Sequence, residues 1–165
     1  MTERARPATL DDLKRLLAAL HAERADYLLI GGYALLAHGY PRATVDIDLL
    51  VPTRRAAAEP IRRALLVLPD RAARELAAEW FEEGEGIRVA DEIVVDLVFR
   101  TCGETFDSLK RFEEVIDLDG VPVRTVNLEG LLRTKQSARE RDVADRAVIE
   151  RALAAAKMGG GRNGE

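Results

Sequence analysis

Cysteine is almost missing from this chain: one thiol, Cys102, stands among 165 residues. A lone cysteine excludes a disulfide framework within the chain and fits a reducing, cytoplasmic setting. Long apolar runs are missing as well. Stretches such as Leu28–Ile30 and Ile93–Val95 fall far short of the roughly 20 residues that cross a bilayer, so no membrane partner is expected. The opening Met-Thr-Glu-Arg-Ala-Arg-Pro has no apolar segment of the kind a secretory leader carries. Nor is there a positive excess: 25 Lys and Arg face 29 Asp and Glu, for a net charge of −4. That argues against tight, nonspecific nucleic-acid binding. It leaves one local cluster, Arg133, Lys135, Arg139 and Arg141, partly offset by Glu140, Asp142 and Asp145, as the RNA-facing candidate against the plainer reading of a solvated helix face. No internal repeat is visible.

What is present suits one soluble domain. A 47% apolar and 33% charged composition is that of a globular protein, and the length is enough to bury a core without staples. Leu10, Leu13, Leu17 and Leu20 recur at helical spacing and predict a helix over 9–24, with Thr9 as N-cap and Asp11 and Asp12 in the first turn. Tyr27–Ile30 reads as a buried strand ended by Gly31-Gly32, and a short helix over Tyr33–His38 follows. Thr44–Val51 alternates as a strand, with Val45, Ile47 and Leu49 on the core face. Helices are expected from Thr53 to Leu68 and from Arg71 to Glu79. Two strands, Ile87–Ala90 and Glu92–Phe99, are joined at Asp91. A helix over Glu104–Phe112 precedes a hairpin of Val115–Leu118 and Val121–Val126 about Asp119-Gly120. Asn127 caps a helix running to Arg139, and another covers Val143–Lys157. The expected architecture is α/β (α+β): a mixed sheet flanked by helices, with a core over 1–126, C-terminal helices over 127–157 on the same domain, and a disordered tail over 158–165.

The chemistry concentrates in Leu28–Val51. Asp46 and Asp48 are two apart on a predicted strand, so they share a face. Adjacent carboxylates repel, and a hard cation such as Mg²⁺ is the usual remedy. Gly31-Gly32 lies between a strand and a helix, where backbone approaches a ligand closely and free N–H groups suit phosphate. Asp96 stands inside the apolar run Ile93–Phe99, an unfavourable place for an unpaired carboxylate. A shared metal would offset that cost, and so would a salt bridge to an arginine.

Gly31-Gly32, Ala34, His38-Gly39, Arg42, Thr44 and Asp46-Ile47-Asp48-Leu49-Leu50 together resemble the signature of the nucleotidyltransferase superfamily with the DNA polymerase β-like fold. Within it, the chain is most similar to the AbiEii-like group and its small aminoglycoside and lincosamide nucleotidyltransferase relatives. Asp96 falls where that family places a third carboxylate. Leu131–Gln136, Arg139 and Arg141–Asp145 resemble its later helices more loosely. The resemblance implies two Mg²⁺ ions held by Asp46, Asp48 and Asp96, and a nucleoside triphosphate held at Gly31, Gly32, Arg42, Thr44, Lys135 and Arg139. It implies transfer of a nucleoside monophosphate to a hydroxyl of RNA, protein or a small molecule, with Asp96 a candidate base. A cognate antitoxin or other partner protein is also implied. Position 32 is glycine where many members carry serine. The second reading is a non-catalytic module that keeps the fold. His38 is read as ending its helix, His21 as a helix-face residue, Cys102 as unreactive, and Trp80 and Phe81 as core or lid residues.

Overall fold

The computed structural model describes residues 5–162. Thr9 caps the first helix, α1 (Leu10–Ala22): its hydroxyl accepts from the Asp12 N–H while the Asp12 carboxylate accepts from the Thr9 N–H. Leu13, Leu16, Leu17 and Leu20 of this helix are fully buried, as their spacing requires.

Six strands form one mixed sheet: β1 (Leu28–Ile30), β2 (Ile47–Leu50), β3 (Ile87–Ala90), β4 (Val94–Val98), β7 (Glu113–Leu118) and β8 (Val121–Val126), in the order β3-β4-β2-β1-β8-β7. The short pair β5 (Arg100–Thr101) and β6 (Glu104–Thr105) stands apart. β1 runs antiparallel to β2 and parallel to β8, and β2 runs parallel to β4. β3–β4 and β7–β8 are antiparallel hairpins. In the second, Asp119 and Gly120 both take positive φ, 51° and 88°, as a two-residue turn demands. The helices α2 (Gly32–Ala37), α3 (Ala58–Leu65), α4 (Ala78–Glu83), α5 (Phe106–Leu109), α6 (Leu128–Arg133) and α7 (Glu140–Arg162) complete the fold. A mixed sheet flanked by helices is therefore the architecture.

Several boundaries differ from expectation. β2 begins only at Ile47, so Asp46 precedes the strand, and Val45 is 57% exposed instead of core-facing. The Thr53–Leu68 stretch is a single 3₁₀ turn, Arg55–Ala57, followed by α3, and Thr53 caps neither. Arg71–Glu79 is no continuous helix. A 3₁₀ turn over Ala72–Glu75 gives way to extended backbone at Leu76 and Ala77 before α4. The cause is tertiary: the buried Asp91 carboxylate accepts from the Asp70 and Ala72 N–H groups, and Arg71 adopts φ 53° between them. Asn127 caps α6 as expected, but that helix ends at Arg133, where the Thr134 hydroxyl donates back to the Leu131 carbonyl. α7 continues through Arg162, into the stretch read as tail; residues 163–165 lie outside the described residues.

Candidate active site

Asp48 on β2 and Asp96 on β4 are register partners in the parallel ladder, so their side chains lie side by side on one face. Fully buried Ile47, Leu49, Val95 and Leu97 hold the same two strands from the other face. Asp46, one step before β2, joins them. Gly31 ends the neighbouring strand at φ 77°, and a Cβ placed there would lie 2.3 Å from Asp48 Oδ2. The glycine is thus required by the carboxylate that packs on it. Burial pushes the Asp48 pKa up to about 6, helped by the charges of Asp96 and Asp46 and opposed by Lys135 and Arg141. Crowded carboxylates in a desolvated place behave this way, and such perturbed groups mark functional sites.

Arg88 was not foreseen as a site residue. It sits on β3 directly across from Asp96. Its Nε donates to Asp96 Oδ1 at 3.0 Å and its Nη2 to Asp96 Oδ2 at 3.4 Å, while Nη2 also reaches Asp46 Oδ2 at 3.5 Å. A salt bridge to an arginine, one of the two ways to offset a carboxylate at this place, is therefore present. A turn centred on Asp91 would have put residue 88 opposite 94; the observed hairpin is centred on Glu92, and that one-residue shift is what brings Arg88 opposite Asp96. Among the described residues no three acidic, histidine or cysteine side chains converge into a ready-made metal cage. The Asp46 and Asp96 oxygens are turned to the guanidinium instead.

The second wall is cationic and anchored from behind. Asp145 on α7, fully buried, lies 2.9 Å from Arg42 Nε and accepts from Arg42 Nη2 at 3.1 Å. Lys135 Nζ lies 3.0 Å from Asp145 Oδ2 and 3.9 Å from Asp142 Oδ1. Lys135 is 6% exposed, so the alternative of a solvated surface lysine does not apply. Asp142 in turn accepts from Arg139 and from Ser137. Burial works against its carboxylate, but those hydrogen bonds together with the charges of Arg139 and Lys135 hold its pKa below the usual range. In sequence Asp142 and Asp145 were offsetting charges within a segment that loosely resembles the family's later helices; what the structure adds is their burial against Lys135, Arg139 and Arg42. Gly32 has a steric reason parallel to that of Gly31: a Cβ would meet Thr44 Cβ and Oγ1 at 2.7 Å and Arg42 Cζ at 3.1 Å.

Asp46, Asp48, Asp96, Gly31, Gly32, Arg42, Thr44, Lys135 and Arg139 all line one cavity of about 720 Å³, together with Arg88, Arg100 and Arg141. That volume suits a nucleotide-sized ligand. The residues read as structural stand elsewhere. His38 follows α2, its Nε2 2.8 Å from the Val126 carbonyl oxygen. His21 pairs with the Tyr27 hydroxyl, and Phe81 packs edge-on against Phe99 in the core. Trp80 is 39% exposed, away from the cavity lining.

A family model described as the nucleotidyl transferase AbiEii toxin of a type IV TA system matches residues 14–151. The crystal structure of a "putative nucleotidyltransferase" from Thermotoga maritima superposes with a TM-score of 0.52, covering 94% of this chain and 93% of that one at 15% identity. At that identity the likeness is one of fold. No curated protein sequence matches the chain.

Proposed function

Since the chain belongs to the AbiEii nucleotidyltransferase toxin family and is a nucleotidyltransferase, we propose that it moves a nucleoside monophosphate from a nucleoside triphosphate to an acceptor hydroxyl. The observation that carries this is the convergence of Asp46, Asp48 and Asp96 with the anchored cations Lys135 and Arg42 on one cavity. The acceptor oxygen forms a bond to the α-phosphorus, the bond from that phosphorus to the bridging oxygen breaks, and pyrophosphate leaves. The acceptor proton passes to Asp96 or to solvent.

The donor set fits Mg²⁺: three carboxylates offer hard oxygens, and two of them, Asp46 and Asp96, already accept from the cationic Arg88. Asp46, Asp48 and Asp96 would hold two such ions, which supply charge neutralisation at the phosphates and activation of the attacking oxygen. The rest falls to the protein. The Gly31-Gly32 backbone admits the triphosphate closely, and Thr44 presents a hydroxyl beside it. Lys135, Arg42 and Arg139 supply positive charge, held in place by Asp145 and Asp142. Preorganised charge of this kind is the main source of catalysis in phosphoryl transfer.

The acceptor is RNA, protein or a small molecule, and the family's toxin–antitoxin description supports a cognate antitoxin as partner. Among the described residues no helix is long and apolar enough to cross a membrane. The test is incubation with Mg²⁺ and each of four α-labelled triphosphates, adding lysate separated into RNA, protein and small-molecule fractions. Label is expected in one fraction and absent with Asp46→Asn/Asp48→Asn protein. Label that persists in that variant removes the carboxylates from the mechanism.

A further inference from the structure

Arg88 carries a consequence beyond the activity. Three carboxylates crowd the wall formed by β2 and β4, and three cations of the opposite wall are held by acids of their own: Lys135 and Arg42 by Asp145, Arg139 by Asp142; Arg100 and Arg141 also line the cavity. Among the described residues Arg88 makes its side-chain hydrogen bonds to Asp96 and Asp46, spanning two of the three carboxylates proposed to hold metal. Its geometry is that of a guest. The side chain is 64% exposed, it rises from the sheet-edge strand β3, and two of its three contacts are as long as 3.4 and 3.5 Å. Exposed pairs of this kind hold weakly. Even so, a guanidinium on the ligand oxygens opposes a divalent cation twice, by occupying lone pairs and by like charge. Arg88 also lines the cavity, where a triphosphate would bring stronger acceptors than the carboxylates it leaves.

We propose that Arg88 is a placeholder: it sits on Asp46 and Asp96 while the cavity is empty, and moves onto the triphosphate when nucleotide and metal arrive together. The cavity thereby resists a bare divalent ion and accepts the metal–nucleotide pair. This rests on the metal-site reading above, so the test separates the two. Mn²⁺ binding without nucleotide is followed by electron paramagnetic resonance for the wild type and Arg88→Met. Binding of α,β-methylene ATP, which cannot be cleaved at the α-phosphorus, is followed by calorimetry at saturating Mn²⁺. Removing one neighbouring cation is expected to tighten Mn²⁺ alone by about tenfold and to weaken the analogue by about tenfold. Opposite shifts are required, because a merely structural arginine would move both in one direction or neither. Unchanged or weaker Mn²⁺ binding in Arg88→Met overturns the placeholder, and so does unchanged analogue binding. Arg88→Gln, of closer size, is measured beside it, with thermal unfolding of both as the check on folding. Asp46→Asn/Asp48→Asn protein should lose the Mn²⁺ signal; if it does not, the metal-site reading itself fails. If it does and Arg88→Met matches wild type, the placeholder alone fails.

Discussion

Asp48 shows what a buried, crowded carboxylate does to its own protein. Its pKa rises from 3.8 to about 6 because it is buried beside two other carboxylates. A folded-state pKa above the unfolded value means that folding favours the protonated form. That contribution is full below about pH 4 and is lost as pH rises through about 6. At neutral pH the ionised Asp48 is therefore a burden on the metal-free protein. Asp48→Asn should stabilise it by about 1–3 kcal/mol above pH 7, with the gain shrinking toward pH 4; urea unfolding at the two pH values in EDTA measures it. Gly32 makes the opposite point. Serine is common at this place in the resembled family, but here a Cβ would meet Thr44 at 2.7 Å. Gly32→Ser should cost about 1–3 kcal/mol as an overpacking change, and Gly32→Ser/Thr44→Ala should recover part of it in the same unfolding experiment.

Elements that declare themselves locally were legible in the chain: α1 through its leucine spacing and the Thr9 cap, the β7–β8 hairpin through Asp119-Gly120, β2 through its alternation, though it starts only at Ile47, and β4 through an apolar run broken by Asp96. The 53–83 region was not, because its backbone is arranged by a residue outside it. Asp91 is 5% exposed and accepts from the N–H groups of Asp70, Ala72 and Glu92. No local propensity reports such a tie. The tie also sits at the turn between β3 and β4 that places Arg88 opposite Asp96. Asp91→Ala would leave three N–H groups short of their acceptor and should cost about 2–4 kcal/mol. Amide exchange should quicken at residues 70–76 and along β3, while α1 keeps its protection; uniform loss of protection would deny this local role.

At the scale of the molecule, the buried Asp145 joins the C-terminal helices to the cavity wall. It is paired with Lys135 after α6 and with Arg42 before β2, 103 residues away in sequence. The stretch after Val126 therefore contributes to the cavity wall. Asp145→Ala leaves two cations without their common partner, and breaking a buried pair from one side costs about 3–5 kcal/mol. Thermal unfolding should drop accordingly. Triphosphate binding should weaken beyond what a stability-matched Ile149→Ala variant shows; equal losses would reduce Asp145 to a core residue. The fold class, the spacing of Asp46 and Asp48 and the Gly31-Gly32 turn could be read from the chain, because strand alternation and residue chemistry act over a few neighbours. Only the tertiary structure decided that Lys135 is buried, that Asp145 and Asp142 anchor the cationic wall, and that Gly31 and Gly32 make room for Asp48 and Thr44. It also decided that Arg88 lies on the carboxylates. Each of these depends on which distant segments share a cavity, and no local pattern carries that information.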